Sequence, residues 1–442
     1  MKKVLFFISM LAVMLASCAD NHSDELLKTV PANSTFVIMA HLDKMVSKLD
    51  DEGWSQLAKA VPQLTEKTGR FDARWNYFFS DESEVDFSYP LVAFNLDRAI
   101  VFTFYVKNPD RFRKQIQEKT ETEFEVVDGI SVCAGNTVFV RERQVWFTAS
   151  YPRVDASDIA QLALQEESKS FLIREVSHRL IDSQSDLVAV VNLVKSLEGA
   201  WLRNERMAIN LLFDNPGYMV SNINFTNLEL TGESIFVNAR NEPSPLALKT
   251  EPLAADSLKN FNGRGNIFGA VSVDSTTVAG LLPLLGNLGH NPPFARELNG
   301  PLAVAAMVKK DSDFPALSLM LSFSSPEGAS ACAEYLRDFL PVADGEAPKI
   351  MAEGRRCIVE ASTGGEGRTF SSIASELDGA NLAALFLPSF LKETGNPEIA
   401  QYMEQCLVKI TEKDSGAVLS IQLKNTPGHN SLISLLELLN RI

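Results

Sequence analysis

The chain has 442 residues, 45% hydrophobic and 22% charged, with a formal net charge of −15. That composition is globular and supplies apolar material for more than one core. The acidic balance argues against nucleic acid as a partner and against a polybasic grip on anionic lipid.

Lys2 and Lys3 precede an apolar stretch over 4–15. Such a stretch falls short of the roughly 20 residues a bilayer core requires, and it fits the apolar region of an export signal. Leu15, Ala16, Ser17 and Cys18 follow, and they resemble the lipobox of bacterial lipoproteins. The resemblance implies a signal peptide over 1–17, cleavage before Cys18 and acylation at its thiol. Two or more acyl chains hold a protein on a membrane where one holds only marginally. Residues 18–26 read as a polar tether, reaching roughly 25–30 Å when extended. Loss of the two lysines brings the charge to −17. No later run reaches 18 consecutive apolar residues, so anchoring rather than spanning is expected. The expected place is the cell envelope, on an outer membrane, facing the periplasm or the surface.

The body reads as two passes through one pattern. "STFVIMAHLDKMVSKL" (34–49) is a strand running into a helix, and "NIFGAVSVDSTTVAGLL" (266–282) repeats that layout. "YPLVAF" from Tyr89 is answered by "GPLAVA" from Gly300. "FTFYVKNPDRF" (102–112) is answered by "LMLSFSSPEGA" (319–329), each a strand ending in two polar residues and a proline that opens a helix. Proline is tolerated there because its missing N–H is unpaired in any helix start. Asp128-Gly129 and Glu353-Gly354 read as hairpin turns between period-two segments. A strand-to-helix echo recurs at 186–197 and 381–391, and the Pro-rich 241–252 reads as a linker. The expected fold class is α+β. Two similar halves arise by internal duplication, each an antiparallel sheet packed with helices, over 27–245 and 250–442.

The lipobox start, "LLKTVPANSTFVIMAHLDKM", "KTGRFDARWNYFFSD" and the closing "LSIQLKNTPGHNSLISLLELLN" resemble a domain-of-unknown-function family. Its members are two-domain envelope lipoproteins from Bacteroides-type bacteria. The resemblance implies an envelope lipoprotein and carries over no catalytic residue.

Chemistry-bearing patterns are sparse. "ASTGGEGRTF" (361–370) lacks the Gly-Lys-Ser/Thr end of a phosphate loop and reads as a hairpin loop. Ser389 and Lys392 form an S-x-x-K and 67–69 a K-T-G, but in the reverse of the order of penicillin-binding hydrolases. Glu175 and His178 form one E-x-x-H, expected on a solvated helix face, where a di-metal bundle needs two. His41 and Asp43 are expected two apart on a strand. The acidic 80–86 lacks the glycine of a calcium loop. Cys133, Cys332, Cys357 and Cys406 have apolar or small neighbours, favouring buried thiols. No cofactor or metal is expected.

These readings converge on a lipid-anchored, non-enzymatic binding or scaffolding protein whose partner is an envelope protein or a glycan. The alternative is an envelope hydrolase with a site assembled from dispersed residues. The first half carries an excess between its first helix and first hairpin, containing Phe71, Trp75, Tyr77 and Phe78. Aromatics on an addition absent from the other half are candidate partner anchors. A Cys18→Ala variant should leave the membrane fraction or stay unprocessed, as read by fractionation and mass spectrometry; normal retention would refute the anchor.

Overall fold

The computed structural model describes residues 23–48, 83–133, 137–148, 154–198, 209–210, 212–247, 249–274, 277–278, 293–310, 315–339, 348–360, 367–394, 400, 403–414, 416–426 and 430–432. Contacts divide these into two compact units, with the main break between Asn192 and Leu193 and with Lys48 falling to the second unit.

The first unit is one antiparallel sheet. Its strands are β1 (Phe36–Ala40), β2 (Leu91–Leu96), β3 (Ala99–Tyr105), β4 (Glu125–Val127), β5 (Ile130–Cys133), β6 (Val138–Arg141), β7 (Gln144–Thr148) and β8 (Leu187–Asn192). β1 lies between β2 and β8, and the sheet continues from β2 through β3, β7, β6 and β5 to β4. Residues of like parity share a face. Phe104, Val138, Val140, Val145 and Phe147 therefore turn together toward the helix Pro109–Thr120, and they pack on its Phe112 and Ile116. That helix begins as its sequence requires. Pro109 takes the first turn, and the Asn108 side chain accepts hydrogen bonds from the amides of Asp110 and Arg111 at 3.1 and 3.0 Å. The β4–β5 hairpin turns at Asp128 and Gly129, both at positive φ. That conformation matches the twist of the strands it joins.

The second unit holds β9 (Tyr218–Phe225), β10 (Glu229–Val237), β11 (Arg264–Gly265), β12 (Ile267–Val273), β13 (Gly300–Met307), β14 (Ala316–Ser322), β15 (Lys349–Glu353), β16 (Arg356–Glu360), β17 (Arg368–Thr369), β18 (Leu382–Phe386), β19 (Met403–Lys413) and β20 (Gly416–Asn425). Its main ladder runs β9, β10, β20, β19, β18, β12, β13, β14, β16, β15, all antiparallel. β11 and β17 pair apart from it. Phe268 of β12 meets Phe370, which also meets Phe261, at centroid separations of 5.8 and 5.1 Å. These rings centre one face's core. The helix Pro326–Phe339 covers other side chains of the sheet through Ala329, Cys332 and Ala333.

Three expectations differ from this arrangement. The sequence reading extends the first domain to 245, whereas the β9–β10 hairpin belongs to the second unit. The reason is its ladder with β20, from Glu229↔Lys424 to Ile235↔Val418. The second-half hairpin turns one residue later than read, at Gly354 and Arg355, because Glu353 still pairs with Arg356. His41 and Asp43 do not share a strand: β1 stops at Ala40 and Asp43 lies in the helix Leu42–Ser47.

Gly265 marks a place where two backbones come close. A Cβ there would stand 2.6 Å from the carbonyl oxygen of Ala306 and 2.9 Å from its nitrogen. Neither backbone atom swings aside as a side chain would. Gly265→Ala is expected to cost about 1–3 kcal/mol, the range typical of overpacking. At Gly232 the nearest atoms would be 4.0 Å from the new Cβ, so Gly232→Ala should leave the melting temperature essentially unchanged. Thermal unfolding of both variants checks the contrast.

Candidate functional site

The residues singled out from sequence fall mostly elsewhere. Leu15, Ala16, Ser17 and Cys18 lie outside the described residues, as do Phe71, Trp75, Tyr77 and Phe78 and the K-T-G at 67–69. Glu175 belongs to a 3-10 turn and His178 opens a separate short helix, both exposed. Ser389 and Lys392 share the helix Pro388–Glu393. His41 is buried, and burial followed by the nearby Lys44 ammonium lowers its pKa. Its Nε2 has no hydrogen-bond partner.

A cleft of about 370 Å³ opens in the first unit. It is built on the sheet face opposite the Phe112 core. In the ladder, Tyr105 of β3, Gln144 of β7 and Arg141 of β6 form one row across three strands. Thr103, Trp146 and Phe139 form the next. Period two puts these six on one face. The β6–β7 hairpin is tight: Glu142 and Arg143 are its loop, with Glu142 at φ 53°. Glu25 of the helix Ser23–Lys28, Tyr89 and Ala163 complete the wall.

Polar contacts tie the walls together. Arg143 donates to Asp86 at 2.6 Å and to the carbonyl of Val106 at 3.0 Å, and its guanidinium carbon lies 5.6 Å from the Tyr89 ring centroid. Tyr89 meets Tyr105 edge-on at 4.9 Å. The Tyr105 hydroxyl donates to Glu25 at 3.1 Å. Arg141 donates to the carbonyl of Ala163 at 2.8 Å, a favourable place for a cation because that carbonyl belongs to the last turn of the helix Ala156–Leu164. Gln144 donates to Thr29 and Thr103 at 3.1 and 2.9 Å. The indole N–H of Trp146 stands apart. The residue is buried, lines the cleft, and its Nε1 has no acceptor. A buried donor without an acceptor costs the desolvation of its N–H, about 1–3 kcal/mol.

Burial pushes the Tyr105 hydroxyl well above its ordinary pKa, and the Glu25 carboxylate adds to the shift. The lining combines aromatic faces, two guanidiniums and two carboxylates. Among the described residues no cluster of histidine, cysteine, aspartate and glutamate could hold a metal ion. No helix of the described residues is long and apolar enough to cross a membrane. Sequence reasoning missed every residue of this cleft. The one signal was "VFVRERQVWF" (138–147), where a two-residue turn between alternating runs marks a hairpin.

No protein-family model and no curated protein matches the chain. Among solved structures it is similar to the protein TP0453. In crystal form I of that protein the identity is 10%, the TM-score 0.29 and the coverage 79% of this chain and 94% of that one. Crystal form IV gives 10%, 0.26, and coverage of 79% and 95%. A likeness this slight bears on neither fold nor activity.

Tyr105 has a folded pKa raised above its unfolded value, so its contribution is complete below about pH 10 and is lost as pH rises through the folded pKa. Glu25, Tyr89 and Arg143 are the charged or titratable groups that act on it. The Tyr105→Phe variant should therefore lose less stability than the parent on alkaline titration. Melting temperatures across the alkaline range measure this; parallel profiles would refute it.

Proposed function

We propose that the protein is a lipid-anchored envelope protein that binds a partner through the cleft of its first unit and catalyses no reaction there. The observation that carries the reading is the origin of the β6–β7 hairpin's side chains. The two units share a strand plan: β1 lies between β2 and β8, and β12 lies between β13 and β18. In each, a proline-led helix follows the third strand of that plan. In the second unit β14 then pairs directly with β16. In the first, β7 and β6 intervene between β3 and β5. Arg141, Arg143, Gln144 and Trp146 all come from that added hairpin. Material that the shared plan does not need is free to serve binding.

The occupied state of the charged groups supports recognition over chemistry. Arg143 is committed to Asp86, and Glu25 to Tyr105. A general acid or base works best when its pKa lies near the working pH. Burial moves the Tyr105 pKa further above the working pH. The open N–H of Trp146 suits an acceptor on the ligand. The aromatic and guanidinium walls suit an envelope protein segment or a glycan. The shared strand plan also supports the internal duplication inferred from sequence, and with it kinship to two-domain envelope lipoproteins. The lipobox residues 15–18 support the anchor.

The test is capture of partners by cross-linking from native membranes with the lipidated protein. Tyr89→Ala and Arg143→Ala should each reduce capture at least tenfold while fold is retained by circular dichroism. Undiminished capture by both variants would overturn the cleft as the binding site.

A further inference from the structure

The second unit carries two thiols in one small cluster. Cys332 of the helix Pro326–Phe339 and Cys357 of β16 are both fully buried, and both belong to a cluster with Phe294, Phe323, Ala329 and Ala333. Both are free thiols in this structure, and each shifts the titration of the other. Cys332 lowers the pKa of Cys357 against the opposing effect of burial, with the Arg337 guanidinium acting in the same lowering direction, whereas Cys357 and burial both raise that of Cys332.

The helix is built to lie close to the strand. Counting from the proline that opens each helix, Ala329 and Ala333 stand where the first unit has Phe112 and Ile116. The spacing of packed elements follows the side chains between them, and two methyl groups leave room for a closer approach than a ring and a sec-butyl group do. Gln115 stands in the place of Cys332. The other two described cysteines are differently placed. Cys133 lies in the first unit's core and donates to the carbonyl of Thr122 at 3.3 Å, and Cys406 lies on β19.

We propose that Cys332 and Cys357 form a structural disulfide that staples the helix to the sheet. The proposal rests on the export reading, since disulfides persist in oxidising compartments outside the cytosol. The oxidant is a protein disulfide, acting by exchange on the folding chain before the cluster closes. The Cys357 thiolate attacks one sulfur of that disulfide, forming a mixed disulfide and releasing the other sulfur as a thiolate. The Cys332 thiolate then attacks Cys357 and expels the oxidant's second sulfur. Two electrons pass to the oxidant, which leaves as a dithiol carrying the two protons given up by the cysteines.

The protein with its native leader is recovered from the envelope fraction, denatured in excess maleimide, and mapped by peptide mass spectrometry. The expected result is a Cys332–Cys357 cross-linked peptide with Cys133 and Cys406 alkylated. Alkylation of Cys332 and Cys357 in envelope-derived protein would overturn the proposal. Absence from the envelope would count against the export reading alone, and a second measurement then decides. The full chain, purified in detergent and reduced in denaturant, is refolded in a glutathione redox buffer. Selective pairing of Cys332 with Cys357, and a melting temperature lowered by reductant in the parent but not in Cys332→Ser, supports the staple. A pair that stays reduced there overturns it.

Discussion

The alternation of side chains along antiparallel strands is the constraint on which the first unit depends. Strands β3, β6 and β7 each present one parity to the helix Pro109–Thr120 and the other to the cleft. A one-residue slip of β7 would exchange Val145 and Phe147 for Gln144 and Trp146. It would drive a carboxamide into the Phe112 core and turn two apolar side chains toward the cleft. Burial of Val145 and Phe147 therefore holds Trp146 in place, although the two sets of side chains never meet. The energy that positions the cleft is spent on the opposite face of the sheet.

Polar groups set the finer geometry. The Arg141 side chain is held by the carbonyl of Ala163, and that of Arg143 by the carbonyl of Val106 as well as by Asp86. Exposed ion pairs alone contribute little. A guanidinium that also satisfies a helix's last turn or a strand's end is fixed in direction by that second bond. The Tyr89 and Tyr105 rings fill the space between these arms. The result is a cleft whose polar atoms are held in fixed directions by bonds within the protein.

The same sheet plan carries different loads in the two units. Around β1 the β6–β7 hairpin forms a wall with arginine, glutamine and tryptophan. Around β12 the third strand meets β16 directly, and the covering helix uses alanines where the other uses phenylalanine and isoleucine. Both helices open on proline after a polar residue. Ser325 accepts from the amide of Gly328 at 3.0 Å much as Asn108 serves its own helix. Local start signals are thus common to both, while the buried faces diverge with the strands they cover.

Local physics made much of the fold legible without coordinates. The alternation in 98–106 and 315–323 marked β3 and β14, Pro109 and Pro326 marked two helix starts, and Asp128-Gly129 marked a turn, because each depends on neighbours within a few residues. Two decisions were left to tertiary structure. The first is where the second unit begins: β10 needs a partner for its open edge, and the strand that supplies it, β20, lies almost 190 positions later in the chain. The second is the cleft. Glu25, Tyr89, Tyr105 and Arg143 are separated by up to 118 positions, and no periodicity links them. Only the strand order β2, β3, β7, β6 brings them to one place, because ladder pairing is chosen by long-range burial rather than by the residues adjacent in sequence.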